Sequence, residues 1–267
     1  MLFRSVSQSR YLMIIYGHDT VGSVCGIITC GISLIDCHYS GLIGAPSGAG
    51  YIGGLCGSFY GKEISKCSAD LNIDVENGGY IGGLFASLKC DQISECWFKG
   101  NLKGITAVGG IAGGMMSGVN ASNLFARGSV ISNDTVGGLF GELSEFYNDL
   151  STTLTNCYAA SVVTCTSEAE SHGGMIGTSD VINLTVSSCY YDSQVSGQSD
   201  NDGRGVPKTT PQMKTGFTFV GWDFETIWGI KSTENDGYPF FGVGDPQPDM
   251  PTQLCSFSNS YSFAKIS

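Results

Sequence analysis

The sequence predicts an all-β protein: a β-solenoid, parallel β-helix-like, of about six imperfect coils with a C-terminal aromatic cap. Three observations predict it. A glycine-centred motif recurs six times at spacings of 31, 29, 27, 28 and 36 residues. A cysteine-centred motif follows each copy. The composition is rich in glycine (39 of 267 residues), poor in proline (7) and only 14% charged, where an ordinary soluble domain carries roughly 25% charged residues. Short units that cannot bury an apolar face alone do so by stacking on their neighbours.

Residues 1–20 form an N-terminal segment with Arg4, Arg10 and a short apolar stretch. It lacks the apolar core and cleavage site of a secretory signal. It reads either as a partial coil or as the start of a fragment whose true N-terminus, with any export signal, lies upstream.

Residues 21–198 carry the repeats. The first motif reads VGSVCG at Val21, IGGLCG at Ile52, IGGLFA at Ile81, VGGIAG at Val108, VGGLFG at Val136 and HGGMIG at His172. The second has the central column Cys37, Cys67, Cys96, Leu124, Cys157 and Cys189. Three residues before it runs another apolar column: Leu34, Ile64, Ile93, Ala121, Leu154 and Val186. Both columns are of the type that forms inward ladders. Paired glycines in five of the six units would weaken a helix by about 1 kcal/mol per glycine. Stretches such as ISKCSADLNIDV alternate with period two and favour strands. The glycines mark tight corners or close backbone approach. The extra residues of the fifth unit, 144–152 and 166–171, are expected as projecting loops.

From about Ser199 the repeat stops. Residues 199–241 concentrate Phe217, Phe219, Trp222, Phe224, Trp228, Tyr238, Phe240 and Phe241. They are expected to cap the stack, with Trp222 and Trp228 over the last coil, since an open end exposes core and strand edges. An aromatic carbohydrate platform is the functional alternative. Residues 242–267 read as a linker and a weakly ordered tail.

These motifs resemble the GLUG-motif repeat family, through Gly54-Leu55-Cys56-Gly57, Gly138-Leu139-Phe140-Gly141 and Asn156-Cys157-Tyr158-Ala159. Cys189-Tyr190-Tyr191-Asp192, Gly221-Trp222-Asp223-Phe224 and Gly237-Tyr238-Pro239 resemble the segment that closes such arrays. The resemblance implies a bacterial surface or adhesin-type β-solenoid, of the kind also found flanking IgA-specific metallopeptidases. Ser23, Ala86 and Leu124 depart from the pattern but stay small or apolar.

The chemistry-bearing residues are few. The net charge of −11 disfavours nucleic acid, and no apolar run reaches the ~18 residues of a membrane span. His18, His38 and His172 form no HExxH zinc motif. His38 and His172 fall in different repeat columns. Most of the 11 cysteines are expected as unpaired, packed thiols; Cys25 and Cys30, or Cys90 and Cys96, lack zinc-ribbon spacing. Asp200, Asp202 and Gly203 begin a calcium-like loop, but Pro211 stands where its closing glutamate belongs. Asn120, Asn133 and Asn183 head N-x-Ser/Thr triplets. No catalytic, cofactor-binding or metal residue is assigned, and no cofactor is expected.

The function expected is a non-catalytic structural or adhesive repeat module of a secreted or cell-surface protein, part of a larger polypeptide, meeting a host or matrix protein or glycan. One alternative is a polysaccharide-acting parallel β-helix enzyme, for which Asp70, Asp74, Lys99, Lys103 and Arg127 occupy corresponding positions in successive coils. The other is the non-catalytic flank of a larger secreted metallopeptidase.

Overall fold

The structure, a computed structural model, describes residues 19–242 apart from 30, 44, 46, 47, 76, 77, 147–149, 168–170 and 200–203, together with the backbone of strand Ser256–Ser258. The expectations for residues 1–18, Cys30 and the calcium-like loop lie outside the described residues.

Each repeat makes one coil. The second is representative, with strands Tyr51–Gly53, Cys56–Tyr60, Glu63–Ser65 and Ser68–Asp74. The strands of successive coils pair in parallel, building two six-stranded sheets and a third of twelve strands. The register follows the columns legible in the sequence. Ile52 is opposite Ile81, Cys56 opposite Phe85, Ile64 opposite Ile93 and Cys96 opposite Leu124. Six such steps of about 4.8 Å make a stack some 29 Å long. The interior is dry: Leu34, Ile64, Ile93 and Leu154 are fully buried, as are Ile52, Ile81, Val108 and Val136. Each such aliphatic side chain contributes about 1.5–3 kcal/mol of transfer free energy.

The glycines of the first motif are needed for space. Gly53, Gly82, Gly109 and Gly137 have ordinary negative φ, but a Cβ on any of them would overlap a carbonyl oxygen three residues on, that of Cys56, Phe85, Ala112 or Phe140. Gly54, Gly83, Gly110 and Gly138 in turn abut the carbonyl of the equivalent glycine in the next coil. The backbone is pressed together both around the coil and between coils.

The cysteine motif contains a hinge. Its two inward columns are three residues apart, whereas strict alternation would send them to opposite faces. The residue just before the cysteine column resolves this by adopting left-handed backbone in every coil: Asp36, Lys66, Glu95, Asn123, Asn156 and Ser188, with φ between 49° and 56°. A non-glycine residue there costs roughly 1–2 kcal/mol, offset by burying both flanking side chains. The thiols of Cys37, Cys67, Cys96, Cys157 and Cys189 each donate to the carbonyl two residues back, at 3.1–3.5 Å. Cysteine thus fills the core and bonds the carbonyl on the far side of the hinge.

The aromatic C-terminal segment takes a longer route than an end cap. Strand Val206–Lys208 adds a partial seventh rung on Tyr190–Asp192, and Arg204 Nη1 donates to Gly177 O at 3.1 Å. These close the last coil. The chain then folds back along the side of the stack. Trp222 Nε1 donates to Ser188 O in coil six (2.9 Å), but Trp228 Nε1 reaches Asn123 Oδ1 in coil four (3.1 Å). The expectation that both tryptophans lie over the last coil is corrected for Trp228. The reason is the residue after each cysteine-column position. Trp97, Phe125, Tyr158 and Tyr190 point outward and make an apolar ladder, with Trp97–Phe125 and Phe125–Tyr158 stacked at 5.7 and 5.1 Å. That ladder needs cover. Trp228 is fully buried and Trp222 nearly so, which removes them as a carbohydrate platform. Within 242–267, Ser256–Ser258 pairs antiparallel with Ser33–Ile35 of the first coil; the rest of that linker and tail lies outside the described residues.

Candidate functional site

The lateral face of the third sheet brings the sequence-predicted charges together. Asp70, Lys99 and Arg127 occupy one register column, continued by Ser40 and Ala160. Asp74 and Lys103 share a second column four residues along each strand. Lys103 Nζ is 3.4 Å from Asp74 Oδ1, with both side chains more than half exposed. Such a surface pair is worth at most about 1 kcal/mol.

Arg127 is engaged differently. Its Nη1 donates to the backbone and side-chain oxygens of Asn235 (2.8 Å each) and its Nη2 to Asp236 Oδ2 (2.7 Å). Asn235 and Asp236 form a left-handed turn, φ 47° and 52°, at the tip of the fold-back. The Arg127 guanidinium holds the Asp236 carboxyl below the usual carboxylate range. Burial, reinforced by the Arg127 charge, lowers the pKa of Lys99, whose ammonium lies 5.5 Å from the Trp97 ring centre. The Tyr238 ring has Arg127 at 4.5 Å and Lys214 at 4.9 Å.

Beneath this turn is a buried polar anchor. Asp192 is fully buried. It accepts from the Gln194 and Val195 amides and the Thr210 hydroxyl at 3.0 Å, and from the Tyr238 hydroxyl at 2.7 Å. The Tyr158 hydroxyl, its pKa raised by burial, donates to Pro239 O (2.7 Å) and accepts from Asn235 Nδ2 (2.9 Å). These bonds fix the fold-back rigidly. Beside it opens a cleft of about 390 Å³ lined by Lys214, Ile230, Lys231, Ser232, Asp236 and Gly237.

The remaining candidates separate. His38 bridges Asp36 (3.0 Å) and Ser68 (2.6 Å). This is a Ser-His-Asp chain in composition, but Ser68 is fully buried and its hydroxyl cannot meet a substrate; the chain ties coil one to coil two. His172 is exposed, bonded to Gln198 at 2.8 Å, and stands opposite Val136, whereas His38 stands opposite Ser68. Of the nine cysteines described, seven are buried, Cys37, Cys56, Cys67, Cys90, Cys96, Cys157 and Cys189, and Cys25 and Cys165 are partly exposed. Burial pushes the Cys90 thiol up to about 12 and raises those of Cys96 and Cys157, which makes them poor nucleophiles and metal ligands. Among the described residues no group of three or more His, Cys, Asp or Glu is placed to hold a metal ion, and no helix is long and apolar enough to cross a membrane. Asn120, Asn133 and Asn183 are all exposed.

Sequence reasoning missed Asp192, Lys214, Lys231 and Asp236. Asp236 joins the lateral column through Arg127, 109 residues away in sequence, a contact that no periodicity signals. The aromatic run after Trp222 was the available clue that something apolar awaited cover.

In-register parallel coils, a hinged thiol ladder and a laterally packed aromatic segment define a β-solenoid repeat protein. Over 124 residues, 44% of its length, the chain is 41% identical to a protein of Evansella cellulosilytica described as a Gly-rich membrane protein. The match spans only 13% of that relative. In structure the chain is similar to a Bacteroides ovatus protein described as an immunoglobulin A1 protease, with a TM-score of 0.55 and 19% identity over 86% of this chain and 77% of that one. At that identity the likeness is one of fold. No protein-family model matches the chain.

Proposed function

We propose that this chain is a non-catalytic repeat module, of the GLUG type, acting as a spacer or adhesive part of a larger secreted or cell-surface protein. One observation carries the reading: six coils in unbroken register around a dry core. Such a stack is a stiff rod whose lateral faces repeat the same positions every 4.8 Å or so. It suits presentation and contact at a distance. The charged lateral column supports the same reading, because Arg127 is committed to the Asn235–Asp236 turn rather than open to a reacting bond. The relative from Evansella cellulosilytica, much longer than the matched stretch and described as a membrane protein, supports a module within a larger surface polypeptide. The fold likeness to a protein described as an immunoglobulin A1 protease favours one second reading, that the larger protein is a secreted peptidase and this chain its flank.

Labelling intact cells with antibody against the chain, alongside an assay of reducing-sugar release from acidic glycans by wild type and Asp70→Ala, tests the proposal. Surface labelling with no turnover by either form is expected. Label confined to the cell interior, or sugar release that the variant loses, overturns it.

A further inference from the structure

We propose that the lateral face of the third sheet, centred on coils two and three, docks on the same face of a second copy of this chain, with the two stacks antiparallel. The inference deepens the adhesive reading and rests on it for its biological sense: the partner that the module grips is another molecule of itself.

Coil two presents Asp70, Asn72 and Asp74 on this face, and coil three presents Lys99, Asn101 and Lys103 in register beside them. Five of the six are exposed, and Lys99 is half-buried. An acid–amide–acid row therefore lies next to a base–amide–base row. The rows are fastened to each other. Asn101 donates to Asn72 Oδ1 from its backbone N (2.9 Å) and its Nδ2 (2.8 Å), and Lys103 Nζ is 3.4 Å from Asp74 Oδ1. The strands beneath hold the spacing of the charges along each row, and the coil step holds the rows about 4.8 Å apart.

This pattern is complementary to itself under one symmetry. A two-fold axis running along the strands, midway between coils two and three, lays each acidic row on the partner's basic row. Asp70 then faces the partner's Lys99, Asp74 the partner's Lys103 and Asn72 the partner's Asn101. Every contact occurs twice, as in an isologous dimer. The other settings put like charges together, which disfavours them. An axis along the stack would lay Asp70 on the partner's Asp74 and Lys99 on the partner's Lys103. An axis moved onto either row would lay acid on acid or base on base. The fold-back, fastened to coils six and four through Trp222 and Trp228, falls at and beyond the partner's first coil in this arrangement and leaves the shared rows clear.

At physiological ionic strength a charge acts over about 8 Å. The balance within the face, two acids against two bases, then governs the contact rather than the net charge of −11. The footprint is roughly 20 Å square, about 400 Å² per partner, against about 800 Å² in a standard stable interface. A single pair of modules therefore binds weakly, and many modules side by side on a surface gain from multivalency. Antiparallel stacks are the orientation that modules reaching out from two facing cells present to each other.

Sedimentation of the full chain in physiological salt, from about 10 μM to about 1 mM, tests the inference. It is repeated with Asp70→Lys/Asp74→Lys, with Lys99→Glu/Lys103→Glu, and with the two variants mixed in equal amounts. The wild type is expected to shift from monomer towards dimer across that range. Each variant alone is expected to lose at least about tenfold in association, because it sets like charges face to face. The mixture is expected to recover it, because the two basic rows of one variant meet the two acidic rows of the other. A thermal melt checks each fold, and the exposed pair Asp74→Lys and Lys103→Glu replaces the double variants should either fail to fold. A wild type that stays monomeric, a variant that associates as the wild type does, or a mixture no stronger than its components each overturns the inference. Surface labelling of intact cells is read in parallel. Labelled cells with a monomeric chain sink the self-docking and keep the module; a dimer confined to the cell interior keeps the docking and sinks the adhesive reading.

Discussion

At the scale of single residues, the fold depends on what glycine lacks and on what the hinge residues tolerate. A methyl group at Gly82 would overlap the Phe85 carbonyl. Gly82→Ala is therefore expected to destabilise by about 1–3 kcal/mol or more, because backbone rather than a side-chain tip must move. A urea midpoint within error of wild type would show that the coil is not pressed together there. The hinge makes the opposite prediction. Lys66 is exposed with φ 55°, so Lys66→Gly relieves left-handed strain of roughly 1–2 kcal/mol and adds chain entropy of about 0.5–1 kcal/mol to the unfolded state. The expected net gain is about 0.5 kcal/mol by denaturant titration; a clear loss contradicts the hinge account. The hinge was not legible from residue types, since Asp, Lys, Glu, Asn and Ser all occupy it. It was implicit in the spacing: Ile64 and Cys67 are both apolar and three apart, which a uniformly alternating strand cannot bury on one side.

At the scale of elements, the register of the strands was readable and the path of the C-terminal segment was not. Strand pairing follows like residues at intervals of about 30, so Ile52–Ile81 and Ile64–Ile93 could be aligned from the sequence alone. The fold-back is a non-periodic element docked on a periodic one. Its position is decided by the outward Trp97–Phe125–Tyr158 ladder, whose direction follows from the hinge. The element is fastened at Asp192, where four donors converge on a buried carboxylate. Asp192→Ala leaves the Tyr238 and Thr210 hydroxyls and two amides without that acceptor, at a cost of about 3 kcal/mol. Limited proteolysis is expected to cut the variant within 193–241 first while the coils stay protected. Simultaneous digestion of coils and fold-back would show that the segment is not a separable layer.

At the scale of the whole molecule, the buried thiols tie stability to pH. The thiols of Cys90 and Cys157 have pKa values raised by burial, that of Cys90 to about 12, against about 8.5 in an unfolded chain; Cys96 is raised and its hydrogen-bonded neighbour Cys67 lowered, so that pair offsets itself. Above about pH 8.5 the unfolded state therefore releases protons that the folded state keeps. The contribution is fully present below that pH and is lost as pH rises towards 12. Under reducing conditions the urea midpoint is expected to be lower at pH 10 than at pH 7.5; an equal or higher midpoint would mean that these thiols are not buried in the native state. All of this depends on residues about thirty apart in sequence being neighbours in space. The most direct measurement is a nuclear Overhauser spectrum of methyl-labelled protein, with Leu34, Ile64 and Ile93 assigned. Strong Leu34–Ile64 and Ile64–Ile93 cross-peaks, with all three methyls shielded from a paramagnetic agent in the solvent, are the predicted result. Assigned methyls that show no such contacts, or that the agent broadens, would contradict the stack.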